Sequence, residues 1–372
     1  MVRSRAHRTS AASADDSEGN LTQTQVAGDG AWVVGMDCRS MNLYRFLRVQ
    51  LPGASRGLLR RWIAEGLAQV NGEVSPAPLR TGDVVSVDAA TQALPRDPKR
   101  KPLAEVLFED EALLAVSKPA GLATVPERQS RRECLLDSLK RERAEPGLKL
   151  VHRLDKHASG VVVFAKDRNS KRKLIEQFSE RRVTKDYLAL VSGQFTSGPE
   201  RLEDHLVPIP GRRPRMAVRD EGGKHAITLV RPAFRFRGFA VVHARPVTGR
   251  THQIRVQLQY RGYTLVGDEV YGGDASLYLS KLKSRYRPAR GETEKPLLDR
   301  MALHAGRIRL QSPTGEALDI RAPLTKDLTT TFKQLQKIRA QDEAEAFAEF
   351  LREPFGNGQD PFEGMEGVGP AA

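Results

Sequence analysis

The chain is poor in cysteine: of 372 residues only Cys38 and Cys134 are thiols. That count excludes a disulfide framework and a four-cysteine zinc site, and two isolated thiols suit a reducing cytoplasm. No apolar run approaches the roughly 18 residues that a membrane-spanning helix needs. The greasiest stretches, such as Gly160–Ala165, have strand length. The N-terminus starts basic, but no apolar segment follows Met1–Thr9, so no secretory signal is expected. The Gly-x-x-x-x-Gly-Lys-[Ser/Thr] loop is missing, which argues against an ATPase. Ser159, near His152 and Asp155, lacks the flanking glycines of a hydrolase nucleophile elbow. The eight histidines include no His-x-x-x-His pair and have no cysteine at ligand spacing, so no metal site is expected.

What the sequence has in excess is positive charge. Sixty Lys and Arg against 46 Asp and Glu give +14. Such a balance favours a polyanionic partner, a nucleic acid or an anionic membrane surface. The apolar share, 39% plus 31 glycines, is ordinary for a globular protein, and the length accommodates two domains.

Residues 1 to about 30 are rich in Ser, Ala, Thr, Asp and Gly without hydrophobic periodicity, and read as a disordered tail. Residues 41–89 look like a compact αβ module. Leu43, Phe46, Leu47 and Leu51 recur at helical spacing, and Pro52-Gly53 ends the run. Ser55 is placed to cap a second helix with Leu58, Leu59, Trp62 and Ile63 on its apolar face and Arg56, Arg60 and Arg61 mostly opposite. Asn71-Gly72 is a hairpin signal, and Thr81-Gly82-Asp83 turns into the strand Val84–Val87. Residues 90–103, with Pro95, Pro98, Arg96, Lys99, Arg100 and Lys101, read as a basic linker. From 104 to 325 short strands dominate, with helices over Glu133–Lys140 and Asn169–Glu180, and the pattern predicts an α+β core around a mixed, largely antiparallel sheet. A terminal helix is expected at 326–353, with Leu328, Phe332, Leu335, Ile338, Phe347 and Leu351 as its stripe, followed by a disordered tail at 354–372.

Three segments carry candidate chemistry. Val151-His-Arg-Leu-Asp-Lys-His-Ala-Ser-Gly160 runs into a buried strand and puts Asp155 at its mouth, between Arg153 and Lys156. Such an acid is either a held carboxylate or a loop residue paired with a neighbouring cation. Pro246-Val-Thr-Gly-Arg-Thr-His-Gln-Ile-Arg255 gathers polar donors around a turn, or is a solvated turn with a basic rim. Thr184-Lys-Asp-Tyr-Leu-Ala-Leu-Val191 puts Tyr187 at a strand start, where tyrosines usually pack.

In this order the three segments resemble the RluA-type pseudouridine synthases. "HRLDKHASGVVVFAK", "KDYLALV" and "GRTHQIRVQL" with "GDEVYG" match the family's motifs, and "LFEDEALLAVSKPAGLATVP" and "ALHAGRIRLQSPTG" are family-like. The resemblance covers residues 104–325. "SRGLLRRWIAEGLAQVNGE" followed by "RTGDVVSV" resembles the S-four-type (αL) RNA-binding module, which grips structured RNA through phosphate contacts.

The resemblance implies a pseudouridine synthase fold and an enzyme that breaks the uridine N-glycosidic bond, turns the uracil and rejoins it through carbon-5, with no cofactor and no metal. The indispensable Asp falls on Asp155, acting in ionised form either as a nucleophile or as the base that removes the 2′ hydrogen. Arg255 would pair with it, and Tyr187 would stack on the base and assist at carbon-5. The target is flipped out of its stack, and Arg153 would fill the vacated space. His152, Arg250, His252 and Gln253 would line the pocket or hold its loop, with Leu303 under the base. Ala158 stands where the family often has Thr, Gln257 where it has His, and Tyr263-Thr264 where it has His-Pro. The implied partner is RNA, with ribosomal RNA of the large subunit favoured and tRNA the alternative, handled by a cytoplasmic monomer with no membrane contact. A non-catalytic RNA-binding or ribosome-assembly factor on the same fold is the rival, and loss of the Asp, Tyr or Arg would favour it; none is lost. A membrane-surface role ranks last, because the terminal helix has mixed charge.

Overall fold

The computed structural model describes residues 23–28, 30–51, 56–87, 102–126, 133–195, 198–211, 215–286, 293–340, 344–356, 360, 362, 363 and 365. The chain divides into two units, Met1–Arg100 and Lys101–Ala372.

In the first unit, strands β1 (Gln25–Gly28), β2 (Ala31–Val33), β3 (Ala68–Val70) and β4 (Val84–Val87) form an antiparallel sheet in the order β1-β2-β4-β3. Helix α1 (Leu43–Gln50) starts where the Asn42 side chain accepts the Arg45 N–H at 2.8 Å. Its Leu43, Phe46 and Leu47 share one core with Leu59 and Trp62 of α2 (Arg56–Ala64) and with Val70, Val85 and Val87 of the sheet. Asn71 and Gly72 have φ of 52° and 83°, the positive pair that a type I′ turn requires. No strand follows that turn directly. The ladder partner of β3 is β4, and the Asn71 side chain ties the turn to it by accepting from the Val84 N–H at 2.7 Å.

The expected tail therefore needs correcting, since it contains β1, and the module begins before residue 41. Periodicity could not find β1: Val26 is its one large apolar residue and is 74% exposed on an edge strand. Pairing with β2 and bonds from Thr24 to Asp37 hold it instead. Residues 1–22, and 88–101 of the linker, lie outside the described residues.

The second unit is built on one large sheet. Its strands are β5 (Glu105–Glu109), β6 (Leu113–Lys118), β7 (Lys149–Leu150), β8 (Ser159–Ala165), β9 (Thr184–Ser192), β10 (Glu200–Ile209), β11 (Arg215–Arg219), β12 (Lys224–Phe236), β13 (Phe239–Pro246), β14 (Leu303–Gln311) and β15 (Ala317–Arg321). The order is β11-β10-β12-β13-β9-β14-β8-β6-β5, with β15 on β14 and β7 on β8. Only the β14–β8 pairing is parallel, so the sheet is mixed and largely antiparallel, as expected of this α+β chain.

All seven residues of β8 are buried, which explains its unbroken apolar sequence. Leu114, Val116, Val162 and Phe164 join the core under α3 (Leu135–Glu142), while Leu113, Ala115, Val161 and Val163 join the core under α4 (Arg168–Ser179). Asp167 caps α4 by accepting from the Asn169 and Ser170 N–H groups. A glycine is obligatory at 160: its φ is 115°, and a Cβ there would lie 2.1 Å from the Ala305 carbonyl oxygen. That close crossing of β8 and β14 fixes the strand mouth where Asp155 sits. Helix α5 (Gln253–Tyr260) buries six consecutive residues, and a short α6 (Leu279–Leu282) follows it.

Two further expectations are corrected. The terminal helix is two helices, α7 (Lys326–Arg339) and α8 (Ala344–Arg352). Ala340 leaves the helical conformation (ψ 139°) and bridges Phe236, so one apolar stripe is folded into two that meet around Phe234, Phe332, Phe347 and Phe350. The segment beyond 353 is docked where it is described. Phe355 and Phe362 are buried, His243 bonds the Pro354 carbonyl, and Asp360 pairs with Arg245 and Arg309. The stretch 212–219, read as a basic loop, contains the edge strand β11; residues 212–214 lie outside the described residues.

Candidate active site

Asp155 lies four residues before β8, on a loop pinned from several directions. Thr124 Oγ1 donates to the Leu154 carbonyl at 3.0 Å and accepts the Leu154 N–H at 3.2 Å. The Gly121 N–H reaches the Lys156 carbonyl at 2.8 Å, and the Ala158 N–H reaches the Asp155 carbonyl at 3.1 Å. Lys118, fully buried at the end of β6, spends all three ammonium protons on the carbonyls of Pro119, Leu122 and Lys156. Burial pushes its pKa down to about 7, and Asp155 works against that shift.

Arg255, on the first turn of α5, connects two carboxylates. Its Nε and one terminal nitrogen donate to Asp268 at 2.7 and 2.8 Å, and the other terminal nitrogen donates to Asp155 Oδ2 at 2.9 Å. Asp268 is 2% exposed, so this is a buried, bidentate, charge-assisted contact. Burial opposes the Arg255 charge, but the two carboxylates outweigh it and hold the group cationic. Among the described residues nothing bonds Asp155 Oδ1. One oxygen is thus anchored and the other is left to face the cleft.

His252, in the left-handed conformation (φ 55°), precedes α5. The Tyr271 hydroxyl accepts the Met216 N–H at 2.8 Å, which frees its proton for His252 Nδ1 at 3.1 Å. The remaining His252 proton is then on Nε2, 3.9 Å from Asp155 Oδ2. Burial lowers the His252 pKa, with Asp155 opposing, so the ring is neutral at pH 7. Tyr187 sits where β9 pairs with both β13 and β14, opposite Ala244 and Ala305. Burial, with Asp155 and Asp186 nearby, pushes its phenol above the ordinary value, so it is a neutral ring and a hydrogen-bond donor.

One cleft of about 660 Å³, within the range of small-ligand sites, collects every site residue expected from the catalytic segments: His152, Arg153, Asp155, Tyr187, Arg250, His252, Gln253, Arg255 and Leu303. They are not equivalent. Arg153 is exposed at the mouth and Leu303 is buried in the wall. Arg250 gives its Nε to the His225 carbonyl at 2.8 Å. Gln253 is saturated by the protein: it accepts from Thr248 and the Arg250 N–H, and donates to Ile227 and Thr228. It fastens the 247–253 turn to β12 and has no group left for a substrate. His152 accepts the Val163 N–H at 3.0 Å and stacks on Phe178, and burial drives its pKa down to about 3. It fixes the loop that bears Asp155.

Of the basic helix in the first unit, Arg60 is exposed and lies over the Tyr44 ring at 5.6 Å; the Arg56 and Arg61 side chains lie outside the described residues. Asp268, Lys118 and Thr124 are site-building residues that the sequence reading did not single out. Asp268 had a signal, the Gly-Asp of "GDEVYG", and Lys118 had another, a lone charge ending an apolar strand. Among the described residues no group of three or more His, Cys, Asp and Glu could hold a metal, and no helix is long and apolar enough to cross a membrane.

Comparison with known proteins agrees with this geometry. The family model described as RNA pseudouridylate synthase matches residues 112–260. "Ribosomal large subunit pseudouridine synthase D" of Xanthomonas campestris is 36% identical over 301 residues, 78% of this chain and 87% of that protein. "Ribosomal large subunit pseudouridine synthase C" of Haemophilus influenzae is 33% identical over 318 residues, 82% of this chain and 94% of that protein. The solved structure of human RNA pseudouridylate synthase domain containing 4 is 24% identical with a TM-score of 0.49, covering 62% of this chain and 93% of that one. With its ordered motifs gathered in one cleft and such relatives matched over most of their length, the chain belongs to the RluA-type family of RNA pseudouridine synthases.

Proposed function

We propose that this enzyme isomerises specific uridines of large-subunit ribosomal RNA, with Asp155 as the reacting carboxylate, Arg255 as its anchor and Tyr187 as the platform for the base. The observation that carries the site assignment is the one-sided hold on Asp155: Arg255 takes Oδ2 and leaves Oδ1 to the cleft. In the reaction the bond from ribose C1′ to N1 breaks, a bond from C1′ to C5 forms, N1 gains a proton and C5 loses one. Addition of a carboxylate to C1′ and removal of the 2′ hydrogen are both open to Oδ1. The neutral Tyr187 ring offers a face for stacking and a hydroxyl for a uracil oxygen. Arg153, exposed at the mouth, takes the space the flipped base leaves, while Arg250 and His252 present donors beside Asp155.

The ribosomal target follows from the names of the relatives and from the excess of positive charge, which suits a large folded RNA. The first unit acts as an S-four-type clamp on that RNA, with the exposed Arg60 among its phosphate contacts. We place the enzyme in the cytoplasm as a monomer, with Cys38 and Cys134 buried as free thiols.

The test is carbodiimide treatment of ribosomal RNA from a deletion strain complemented with wild type or with Asp155→Ala, followed by mapping of reverse-transcription stops. Wild type restores discrete stops in large-subunit RNA and Asp155→Ala restores none. The same stops from both strains would sink the assignment of Asp155, and stops confined to tRNA would sink the ribosomal target.

A further inference from the structure

Arg181 and Lys185 line the same cleft as Asp155 and Tyr187, and the site as assembled gives neither of them a task. Helix α4 ends in a two-bond cap: the Arg182 N–H reaches the Gln177 carbonyl at 2.9 Å, and the Arg181 N–H reaches that of Phe178 at 3.4 Å. This geometry puts the residue after the cap in the left-handed region, where glycine is the usual choice. Here that residue is Arg181, with φ of 59°. A side chain at this position costs stability without improving the cap, and the guanidinium it adds is exposed at the cleft, with no ion pair among the described residues.

Lys185 is a second unexplained cation. It stands two residues before Tyr187 on β9, about 7 Å along the strand, and both residues line the cleft. Its Nζ lies 5.6 Å from the Phe178 ring centroid and 4.0 Å from where a Cβ would stand on Gly249, so it reaches towards the 246–250 turn. Among the described residues no carboxylate lies within ion-pair distance of it. A mostly buried ammonium without an anion is costly; burial alone brings its pKa down to about 8. Phe178, Ile175 and Ser179 complete this wall, and Ile175 is 42% exposed. The wall thus offers two unneutralised cations and apolar surface beside the reacting carboxylate.

We propose that Arg181 and Lys185 form a phosphodiester-binding subsite that holds the RNA backbone of the nucleotide next to the flipped uridine. The inference rests on the RNA-modifying function and adds a place for the strand as it leaves the cleft. Lys185 contacts a phosphate oxygen from within, Arg181 contacts it from the rim, and the Phe178 and Ile175 surface lies against the neighbouring sugar or base. The arriving phosphate supplies the anion that Lys185 lacks, so binding also draws the lysine towards full protonation.

The experiment uses the full chain, with deproteinised large-subunit RNA from a deletion strain as the probe. Affinity is measured by filter binding across a salt series, turnover by the appearance of carbodiimide-dependent stops over time, and stability by thermal unfolding. Lys185→Met should weaken binding roughly 10- to 100-fold, the size of one charge-assisted contact. It should also lower the slope of log affinity against log salt by roughly 0.7–0.9, with the loss in KM rather than kcat. Arg181→Gly should move two readouts in opposite directions, raising Tm by about 2 °C as the strain is relieved while weakening RNA binding. A residue that only shapes the helix end would move stability and leave the salt slope alone. Unchanged salt slopes in both variants overturn the subsite, as does a loss confined to kcat. An inactive wild type would overturn the function but not the subsite, because the binding arms need no turnover.

Discussion

Replacing Asp268 by Asn keeps the shape of the side chain and removes its charge, and so isolates the carboxylate's hold on Arg255. In the native site Asp268 accepts two of the three Arg255 contacts, at 2.7 and 2.8 Å, and is 2% exposed. An asparagine can accept one of them and must turn its amide N–H group towards the other. One charge-assisted bond is worth about 1.5–3 kcal/mol, and breaking a buried ion pair outright costs about 3–5 kcal/mol. With one acceptor retained, a loss of about 2–3 kcal/mol is expected, seen as a Tm lower by roughly 5–10 °C. The catalytic effect comes from orientation. Without Asp268 the guanidinium has only Asp155 to align it, and the carboxylate drifts with it; a displacement of about 1 Å at the reacting group can cost 100-fold in rate. Thermal unfolding gives the first number. Release of tritium from uridine labelled at carbon-5, measured with saturating RNA, gives the second. The expected result is a kcat lower by about 100-fold with KM changed little. A variant that loses stability but turns over like wild type would refute the reasoning, because Asp155 would then be held by something other than the Asp268–Arg255 pair.

Two further outcomes are expected. His243 and His304 are buried, and their pKa values are pushed down by burial to about 4. Below an unfolded pKa of about 6.5 the unfolded chain takes up their protons while the folded chain does not, so stability rises with pH across this window and falls as pH drops from about 6.5 to 4, by up to about 1.4 kcal/mol per pH unit for each histidine. Denaturant unfolding across that range measures the slope, and a flat profile would contradict it. In the first unit, Arg60→Ala should lower the salt slope of RNA binding by roughly 0.7–0.9 and leave kcat at saturating RNA unchanged; filter binding and turnover assays check the two halves separately.

Much of the site was legible because its residues are tied to strong local patterns. Asp155 precedes a strand whose seven residues are all buried, and Tyr187 opens another with an apolar run. Such segments announce themselves by composition, and the motif order did the rest. The supports were harder to see. Lys118, Thr124 and Asp268 act through partners distant in sequence, and a single sequence does not show which carbonyl or guanidinium will arrive. Strands β10 and β11 escaped notice because they lie at the sheet's edge and alternate charged with apolar residues, as edges that discourage aggregation do. The docking of the C-terminal segment was hidden for another reason. Phe355 and Phe362 are isolated aromatics in a Gly- and Pro-rich stretch, and only the fold reveals that Phe355 fills the space a Cβ on Gly306 would take, 2.0 Å away.

The sheet order also dictates when the enzyme can come into being during synthesis. Asp155 leads into β8 and Tyr187 lies on β9, yet these strands are not neighbours; β14, ending at Gln311, is inserted between them. A nascent chain that has already delivered both residues therefore cannot assemble them. At about 5–20 residues per second, the ribosome needs roughly ten seconds more to supply the strand that goes between. For that interval the sheet exists as two halves with open edges, the kind of intermediate that long-range pairing makes slow to fold and prone to associate. A chain truncated before β14 would carry both residues and still lack an active site.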